Sequence, residues 1–88
     1  MKAYLMDIGE GNYMAANQVL AVLRPGSSPG KKLRGLAKSD NRLVDATGGK
    51  GAKSLVVTVS NHLILSNQDP DELAKRLNEI LDLPDDLV

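Results

Sequence analysis

Hydrophobic and polar residues alternate over residues 3–8, and this two-residue period predicts a β-strand. Residues 9–12 follow with two glycines and an asparagine, which predicts a tight turn because both residue types tolerate positive φ. Residues 13–23 are largely apolar and predict a second, longer strand. The beginning of the chain is therefore expected to form a β-hairpin.

A helix is predicted over residues 29–39. Ser28 is suited to the N-cap, and Pro29 is suited to the first helical position. At 100° per residue the helix has an apolar side, which is formed by Leu33, Leu36 and Ala37. Its opposite side is basic and carries Lys31, Arg34 and Lys38. Gly30 and Gly35 each weaken the helix by about 1 kcal/mol relative to alanine, so the apolar side is expected to be docked on a sheet.

Residues 43–47 predict a short strand, and residues 54–60 predict a clearly alternating one. Between them, residues 48–51 contain three glycines and are expected to form a loop. A turn is predicted at residues 61–62. The apolar residues 63–65 are then expected to return antiparallel to the preceding strand.

The last helix is the most clearly marked element. Asp69 is a suitable N-cap, Pro70 occupies the first position, and Glu72 stands three residues after the cap, as in a capping box. The buried side is expected to consist of Leu73, Leu77, Ile80 and Leu81. Pro84 ends the helix, and the acidic residues 84–88 are expected to fray.

The predicted elements follow the order β-β-α-β-β-β-α with mostly short connections, which is typical of an α+β fold. We expect an antiparallel sheet of about five short strands with two helices. Eighty-eight residues make a single domain. It is assigned to residues 1–83, with residues 84–88 as a short acidic tail.

The composition restricts how this domain is stabilised. A chain of this length hides only about 60–65% of the surface that its unfolded form exposes, so its core is thin. The absence of cysteine and the presence of one histidine, His62, argue against disulfides and against a zinc site. Oligomerisation is the remaining source of added stability, although domains of this length also fold alone. We expect no metal and no cofactor.

The apolar segments are too short to cross a membrane, because a spanning helix needs about 20 apolar residues. Asp7 interrupts the beginning of the chain too early for the apolar segment of a signal peptide. We therefore expect a cytoplasmic protein with no membrane partner.

The zero net charge conceals a strong electrical polarity. Residues 24–53 carry eight basic and two acidic residues, a net charge of +6, whereas residues 1–23 and 54–88 carry −1 and −5. This asymmetry is consistent with an anionic partner for the middle of the chain. Attraction between oppositely charged parts of neighbouring subunits, or simple solvation, would account for it equally well.

The segments that resemble nucleotide-binding motifs do not complete one. Gly49 and Lys50 resemble part of a P-loop, but that motif would need glycine in place of Val44 and serine or threonine in place of Gly51. Residues 9–14 lack the third glycine and the helix of a dinucleotide site. The glycine-lysine loop could still offer Lys50 and free N–H groups to a phosphate, or it could be an ordinary flexible hairpin loop.

Catalytic groups are also incomplete. Asp45 has no evident histidine, cysteine or second carboxylate as a partner, so we expect it to accept N–H bonds from a neighbouring turn or to pair with Arg42. His62, in a turn, is expected to be structural, although it could donate to a carbonyl or a phosphate. Structural roles are also expected for three residues of the first turn, Gly9, Gly11 and Asn12. We expect no catalytic residue, no enzymatic activity and no small-molecule substrate.

Several short motifs stand in one order along the chain. They are I-G-E-G-N at residues 8–12, A-N at 16–17, S-S-P-G-K-K at 27–32, L-V-D-A-T at 43–47 and N-H-L-I-L-S at 61–66. In their order and spacing they closely resemble the extracellular-matrix regulatory protein RemA family of small bacterial proteins. The resemblance extends from about residue 3 to residue 77.

This resemblance implies a DNA-binding transcriptional regulator that assembles into homo-oligomeric rings and controls genes for the biofilm matrix. In the family, one arginine after the A-N pair and others just after D-A-T-x-G contribute to DNA contact. Those positions hold Gln18, Lys50 and Gly51 here, with Lys53 just beyond. Lysine retains the charge but lacks the planar fork of arginine, and glutamine retains only hydrogen bonding.

The resemblance therefore implies double-stranded DNA and further copies of the chain as partners. The expected DNA-binding residues are Lys50, Lys53, Gln18, Gly49, Gly51, Lys31, Lys32 and Arg34. The alternative is an oligomeric scaffold or adaptor whose basic face recruits an acidic protein and which binds DNA weakly or not at all.

Overall fold

A computed structural model describes residues 4–83, so the acidic tail predicted at residues 84–88 lies outside the described residues. The strands are β1 (Leu5–Gly9), β2 (Asn12–Ala15), β3 (Val19–Leu23), β4 (Leu43–Asp45), β5 (Ser54–Thr58) and β6 (Leu63–Ser66). The helices are α1 (Ser28–Ser39) and α2 (Pro70–Leu81), and a short 3₁₀ helix spans Ala16–Gln18. Two helices with two sheets confirm the predicted α+β class.

The predicted hairpin forms, but its second strand is shorter than expected. β1 and β2 pair antiparallel and are joined by Glu10 and Gly11, whose φ values of +55° and +75° fit a two-residue turn. The 3₁₀ helix at Ala16–Gln18 then redirects the chain, and β3 pairs with β5 in the other sheet. The prediction of one strand over residues 13–23 was therefore wrong, because apolar character alone does not say which sheet a residue joins.

The main sheet is mixed rather than antiparallel. Its strand order is β3-β5-β6-β4, and β4 pairs parallel to β6. Helix α1 carries the chain from the end of β3 back to the start of β4, so these two strands point the same way. Because β6 lies between β4 and β5, the connection at residues 46–53 crosses the end of β6. The interpretation of this connection as a hairpin loop was therefore wrong.

The four-stranded sheet has a separate hydrophobic cluster on each face, because neighbouring residues of a strand point to opposite sides. One cluster joins Val56 of β5 to the hairpin and α2, and its buried members are Met6, Ile8, Met14, Ala16, Val56 and Leu73. The other joins the sheet to α1 and consists of Ala37, Leu55, Leu63 and Leu65. The sheet is thus the middle layer between α1 on one side and the hairpin with α2 on the other.

Both helices begin with a capping side chain and proline in the first turn. The cap of α1 is Ser27, not the predicted Ser28, because the Ser27 Oγ accepts the N–H of Gly30 at 3.1 Å. The predicted cap of α2 is confirmed, since Asp69 accepts the N–H of Asp71 at 3.0 Å. The capping box does not form, because Glu72 pairs with Arg76.

The apolar sides of the two helices are less buried than predicted. In α1 only Gly30 and Ala37 are buried, while Leu33 and Leu36 remain 36% and 49% exposed. In α2 Leu73 is fully buried, but Leu81, which was expected to be buried, is 54% exposed. A single chain therefore leaves apolar surface uncovered on both outer layers.

Candidate nucleic-acid interface

The glycine-rich connection lies at one end of the main sheet, together with the beginnings of both helices. Strand pairing places the start of β5 beside the end of β6, and the end of β4 beside the same part of β6. The end of β3, after which α1 begins, pairs with Leu55 at this same end. We call this side of the molecule the loop end. Most of the residues that the sequence analysis expected to bind DNA lie at this end.

The loop begins with a tightly bonded turn around Asp45. One carboxylate oxygen of Asp45 accepts the Thr47 N–H at 2.9 Å and the Thr47 hydroxyl at 2.6 Å. The Thr47 Oγ1 in turn accepts the N–H of Gly49 at 3.3 Å, and the backbone carbonyl of Thr47 accepts the N–H of Lys50 at 3.2 Å. The first half of the loop is thus ordered by side chain to backbone bonds, although Gly48 and Gly49 have positive φ.

These contacts also change the titration of Asp45. The hydrogen bond from the Thr47 hydroxyl, followed by the bond from its N–H, lowers the pKa of Asp45, and the charge of Arg34 contributes further. Arg42, the alternative partner suggested by the sequence, pairs instead with Asp40 at 3.1 Å. Asp45 therefore lies where it accepts bonds from the turn that follows it.

Substituting Asp45 by asparagine tests this arrangement. Folding lowers the pKa of Asp45 from its value in the unfolded chain, near 3.8. The ionised carboxylate therefore stabilises the protein at pH values above 3.8, and this contribution is lost as the pH falls through the pKa of the folded state. Asp45→Asn is expected to lower the free energy of unfolding at neutral pH. The difference in this free energy between the wild type and the variant is expected to shrink at acid pH, where Asp45 is protonated. Urea unfolding at several pH values measures both. An Asp45→Asn protein that folds and assembles normally but fails to bind DNA would contradict the structural assignment.

Lys50 is held by a carboxylate that the sequence analysis did not consider. Its Nζ lies 2.7 Å from Oε1 of Glu10, in the turn between β1 and β2. The Asn67 side chain donates to the same oxygen at 2.7 Å. The bond from Lys50, followed by the bond from Asn67, lowers the pKa of Glu10. No local signal in the sequence indicates this contact, because residues 10, 50 and 67 meet only through the fold.

Lys53 differs from Lys50 in its surroundings. Its backbone N–H donates to the Ser66 carbonyl at 2.8 Å, which fixes the chain at the start of β5. The residue is exposed, and within residues 4–83 no acidic group is within ion-pairing distance of its ammonium. Gly51, with φ of +82°, separates the two lysines. The loop therefore presents one paired and one solvent-facing lysine.

The basic residues of α1 extend this surface. Lys31 and Lys32 are exposed in its first turns, at the loop end. Arg34 is also exposed and acts on the pKa of Asp45. Lys38, by contrast, lies in the last turn of the helix, near its far end. The structure thus brings the loop lysines and the first basic residues of α1 to one end of the molecule.

Gln18 lies elsewhere. Its carbonyl accepts the N–H of Val59, just beyond β5, whereas Lys53 immediately precedes β5. With about 3.3 Å per residue, the five-residue strand separates the two positions by more than about 13 Å. Within one chain, Gln18 is therefore not part of the surface formed by the loop.

The residues expected to be structural line the turns. A Cβ on Gly9, whose φ is +96°, would lie 2.3 Å from the Asn67 Oδ1, so only glycine lets this turn approach Asn67. Gly11 has φ of +75°, and the Asn12 side chain donates to the Ala46 carbonyl at 3.5 Å. His62 lies at the opposite end of the sheet. Its ring Nδ1 is 2.9 Å from Ser60 Oγ, and its backbone N–H donates to Thr58 Oγ1.

Two small polar residues that sequence analysis did not single out fasten the loop end to the hairpin and to α2. The buried Ser66 hydroxyl donates to the Ile8 carbonyl at 2.8 Å, and its oxygen accepts the N–H of Gln68. The buried Ser54 hydroxyl donates to the Gln68 carbonyl at 2.6 Å. Each serine stands at the end of an apolar strand, and nothing in the local sequence distinguishes it from an exposed serine.

Neither a metal cluster nor a membrane helix is found in the part of the chain that the structure describes. Residues 4–83 contain no group of three or more histidine or acidic side chains placed to hold a metal ion. The two helices in this range are too short and too polar to cross a bilayer.

Comparison with known proteins identifies the family. The model of the RemA-like family, described as extracellular matrix regulatory protein A-like, matches residues 5–77. The chain belongs to this family. A protein of Thermotoga petrophila is 43% identical over 75 residues, which are 85% of this chain and 82% of the relative. One from Thermodesulfovibrio yellowstonii is 40% identical over 76 residues, or 86% and 89% of the two chains.

A third relative, from Syntrophobacter fumaroxidans, is 42% identical over 77 residues, or 88% of this chain and 82% of the relative. All three relatives carry the name "Putative regulatory protein". Membership of the RemA-like family, together with these names, supports a regulatory role for the chain. It also confirms the resemblance that the motifs indicated.

Proposed function

We propose that this RemA-like protein is a DNA-binding transcriptional regulator that acts as a homo-oligomeric ring, without enzymatic activity. The observation that carries the proposal is the cluster of exposed basic residues at the loop end, formed by Lys53 with Lys31, Lys32 and Arg34 and joined by the paired Lys50. Such a cluster suits the phosphate backbone of DNA, where lysine and arginine supply most of the binding. Regulation of biofilm-matrix genes, in the cytoplasm, is part of the same proposal.

Assembly into a ring is supported by the uncovered apolar surfaces. A groove of about 350 Å³ between β1 and α2 is lined by the apolar residues Leu5, Met6, Ile80 and Leu83 and bordered by the charged residues Asp7, Arg76 and Glu79. On the other face of the main sheet, α1 exposes Leu33 and Leu36. Two different apolar surfaces on opposite layers favour head-to-tail contact between copies, and such contacts generate a ring when the rotation closes.

A ring also strengthens the functional argument. Each subunit presents only a few basic groups, which bind DNA weakly, but several subunits bound to one duplex add their phosphate contacts. Gln18, distant from the loop within one chain, could reach the same duplex from another subunit. DNA bound in this way would follow the repeated basic surfaces of the ring.

The alternative function is an oligomeric scaffold or adaptor that recruits an acidic protein. Two observations reduce the positive charge that is available for DNA. The charge of Lys50 is already offset by Glu10 at 2.7 Å, and Gln18 contributes no charge.

One pair of measurements tests the proposal. Light scattering at micromolar concentration is expected to give several times the mass of the 9.4 kDa chain. Fluorescence anisotropy with a mixed-sequence duplex is expected to show binding whose affinity falls with salt, because each phosphate contact releases counterions. A monomer would contradict the ring, and the absence of binding at low salt would favour the adaptor.

A further inference from the structure

The contact between Lys50 and Glu10 is the place where three loops meet. Glu10 belongs to the turn of the β1–β2 hairpin, Lys50 to the connection between β4 and β5, and Asn67 to the segment before α2. A single carboxylate oxygen, Oε1 of Glu10, lies 2.7 Å from the Lys50 ammonium and accepts the Asn67 amide, also at 2.7 Å. The Glu10 side chain is only 28% exposed, whereas that of Lys50 is 66% exposed.

A series of hydrogen bonds connects Glu10 through Asn67 to α2 and β1. The Oδ1 of Asn67 accepts from the Gln68 side chain at 3.1 Å, and the Oε1 of Gln68 accepts from Arg76 at 3.1 Å. Arg76 also donates to the carbonyl of Asp7 at 3.0 Å. The carboxylate is therefore fixed to β1 and α2 through its neighbours, while the lysine it contacts is on a glycine-rich loop.

The loop is shaped to admit this carboxylate. At Gly48, whose φ is +64°, a Cβ would lie 3.1 Å from both the Cγ and the Oε2 of Glu10. A side chain at this position would therefore crowd Glu10, which would have to shift slightly from the loop. The glycine keeps the carboxylate against the part of the loop that carries Lys50.

A carboxylate oxygen beside a lysine ammonium occupies the kind of position that a phosphate oxygen takes in DNA contacts. We propose that Glu10 is an internal competitor for DNA phosphate at Lys50, so that the protein binds DNA only after this carboxylate is displaced or at the cost of its repulsion. This inference rests on the proposed DNA-binding function and adds its regulation: the chain carries its own inhibitory anion.

The expected size of the effect follows from the exposure of the pair. Ion pairs of exposed side chains contribute little, which corresponds to about a two- to fivefold change in affinity for each engaged subunit. Several engaged subunits multiply this factor, so the total effect on a ring is larger. If Glu10 instead served to order the loop for DNA, its removal would have the opposite sign and weaken binding.

A double-mutant cycle tests the proposal. Four proteins are compared by fluorescence anisotropy with a mixed-sequence duplex across a salt series: the wild type, Glu10→Gln, Lys50→Ala and the double variant. We expect Glu10→Gln to raise affinity about two- to fivefold or more and to steepen the salt dependence, since Lys50 is then free for a phosphate. In the Lys50→Ala background the same substitution is expected to have a clearly smaller effect, because only the repulsion between the carboxylate and phosphate is then removed. An equal gain in both backgrounds, or no gain in either, would overturn the proposal.

The control is Asp82→Asn, which removes one negative charge at the end of α2 remote from the loop. It is expected to leave both affinity and salt dependence unchanged. A gain equal to that of Glu10→Gln would mean that overall charge, and not competition at Lys50, sets the affinity.

A second experiment distinguishes a failure of the competition at Lys50 from a failure of the proposed DNA binding. Inorganic pyrophosphate is titrated into the wild type and Glu10→Gln, and the amide signals of Gly49, Lys50 and Gly51 are followed by NMR. Tighter pyrophosphate binding by Glu10→Gln supports competition even if no variant binds duplex DNA, in which case only the DNA-binding function fails. Equal binding by the two proteins, or no change at the loop in either, overturns the competition.

Discussion

Replacing Lys50 and Lys53 together by alanine is expected to weaken the binding of duplexes of any sequence at least about tenfold near 0.1 M salt. Each phosphate contact contributes a slope of about −0.9 in log K against log salt, so the double variant should also flatten the slope by up to about 1.8 for each engaged subunit. Because phosphate contacts carry no sequence information, unrelated duplexes are expected to lose similar factors. Fluorescence anisotropy over a salt series measures both quantities.

The matched control removes two lysines that lie away from the loop, Lys38 in the last turn of α1 and Lys75 on the exposed side of α2. The Lys38→Ala, Lys75→Ala protein is expected to bind more tightly than the loop variant and to retain a steeper salt dependence. Equal losses in the two double variants would show that net charge, and not the loop, directs binding. Unchanged binding by the loop variant would remove the loop from the interface.

Substituting Gly9 by alanine is expected to be among the most destabilising small changes in this chain. An alanine at φ of +96° is strained, which costs about 1–3 kcal/mol, and its Cβ would also lie 2.3 Å from the Asn67 Oδ1. Asn67 would have to move, and Glu10 would lose one of its two partners. Urea unfolding at a fixed protein concentration measures the loss, because the stability of an oligomer depends on concentration.

Gly35 provides the matched control for this substitution. It lies on the exposed side of α1, and a Cβ there would have no atom within 4 Å. Gly35→Ala is therefore expected to stabilise the protein by about 1 kcal/mol through helix propensity. The same chemical change is thus expected to have opposite signs at the two positions. A Gly9→Ala protein as stable as the wild type would refute the account of this turn.

The parts of the fold that sequence predicted well are those fixed by neighbouring residues. The turn at Glu10 and Gly11 needs only two residues that adopt positive φ, and the start of α2 needs only Asp69 and Pro70. The motifs that identified the RemA-like family are likewise short and local. Even here the prediction shifted by one residue at α1, where Ser27 and Ser28 offer the same hydroxyl.

The parts that sequence did not predict depend on contacts between distant segments. Nothing in the short apolar segment at β4 indicates that it pairs parallel to β6 rather than with its neighbour β5. The ion pair between Glu10 and Lys50 joins positions 40 residues apart, and the separation of Gln18 from the loop follows from the length of β5. The distribution of charge along the chain identified residues 24–53 as basic. It did not indicate that the Glu10 carboxylate offsets the charge of Lys50.

The position of β4 has a consequence for the local stability of the loop. β4 has three residues and is an edge strand of its sheet, paired to β6 on one side in the described chain, whereas β5 is paired on both sides. Short edge strands open at a lower free-energy cost than central ones. When β4 detaches, Asp45 and the turn that it forms with Thr47 are no longer held against β6. The loop thus keeps its position on the sheet only while this short edge strand stays paired, and any ligand that binds the loop also holds that strand in place.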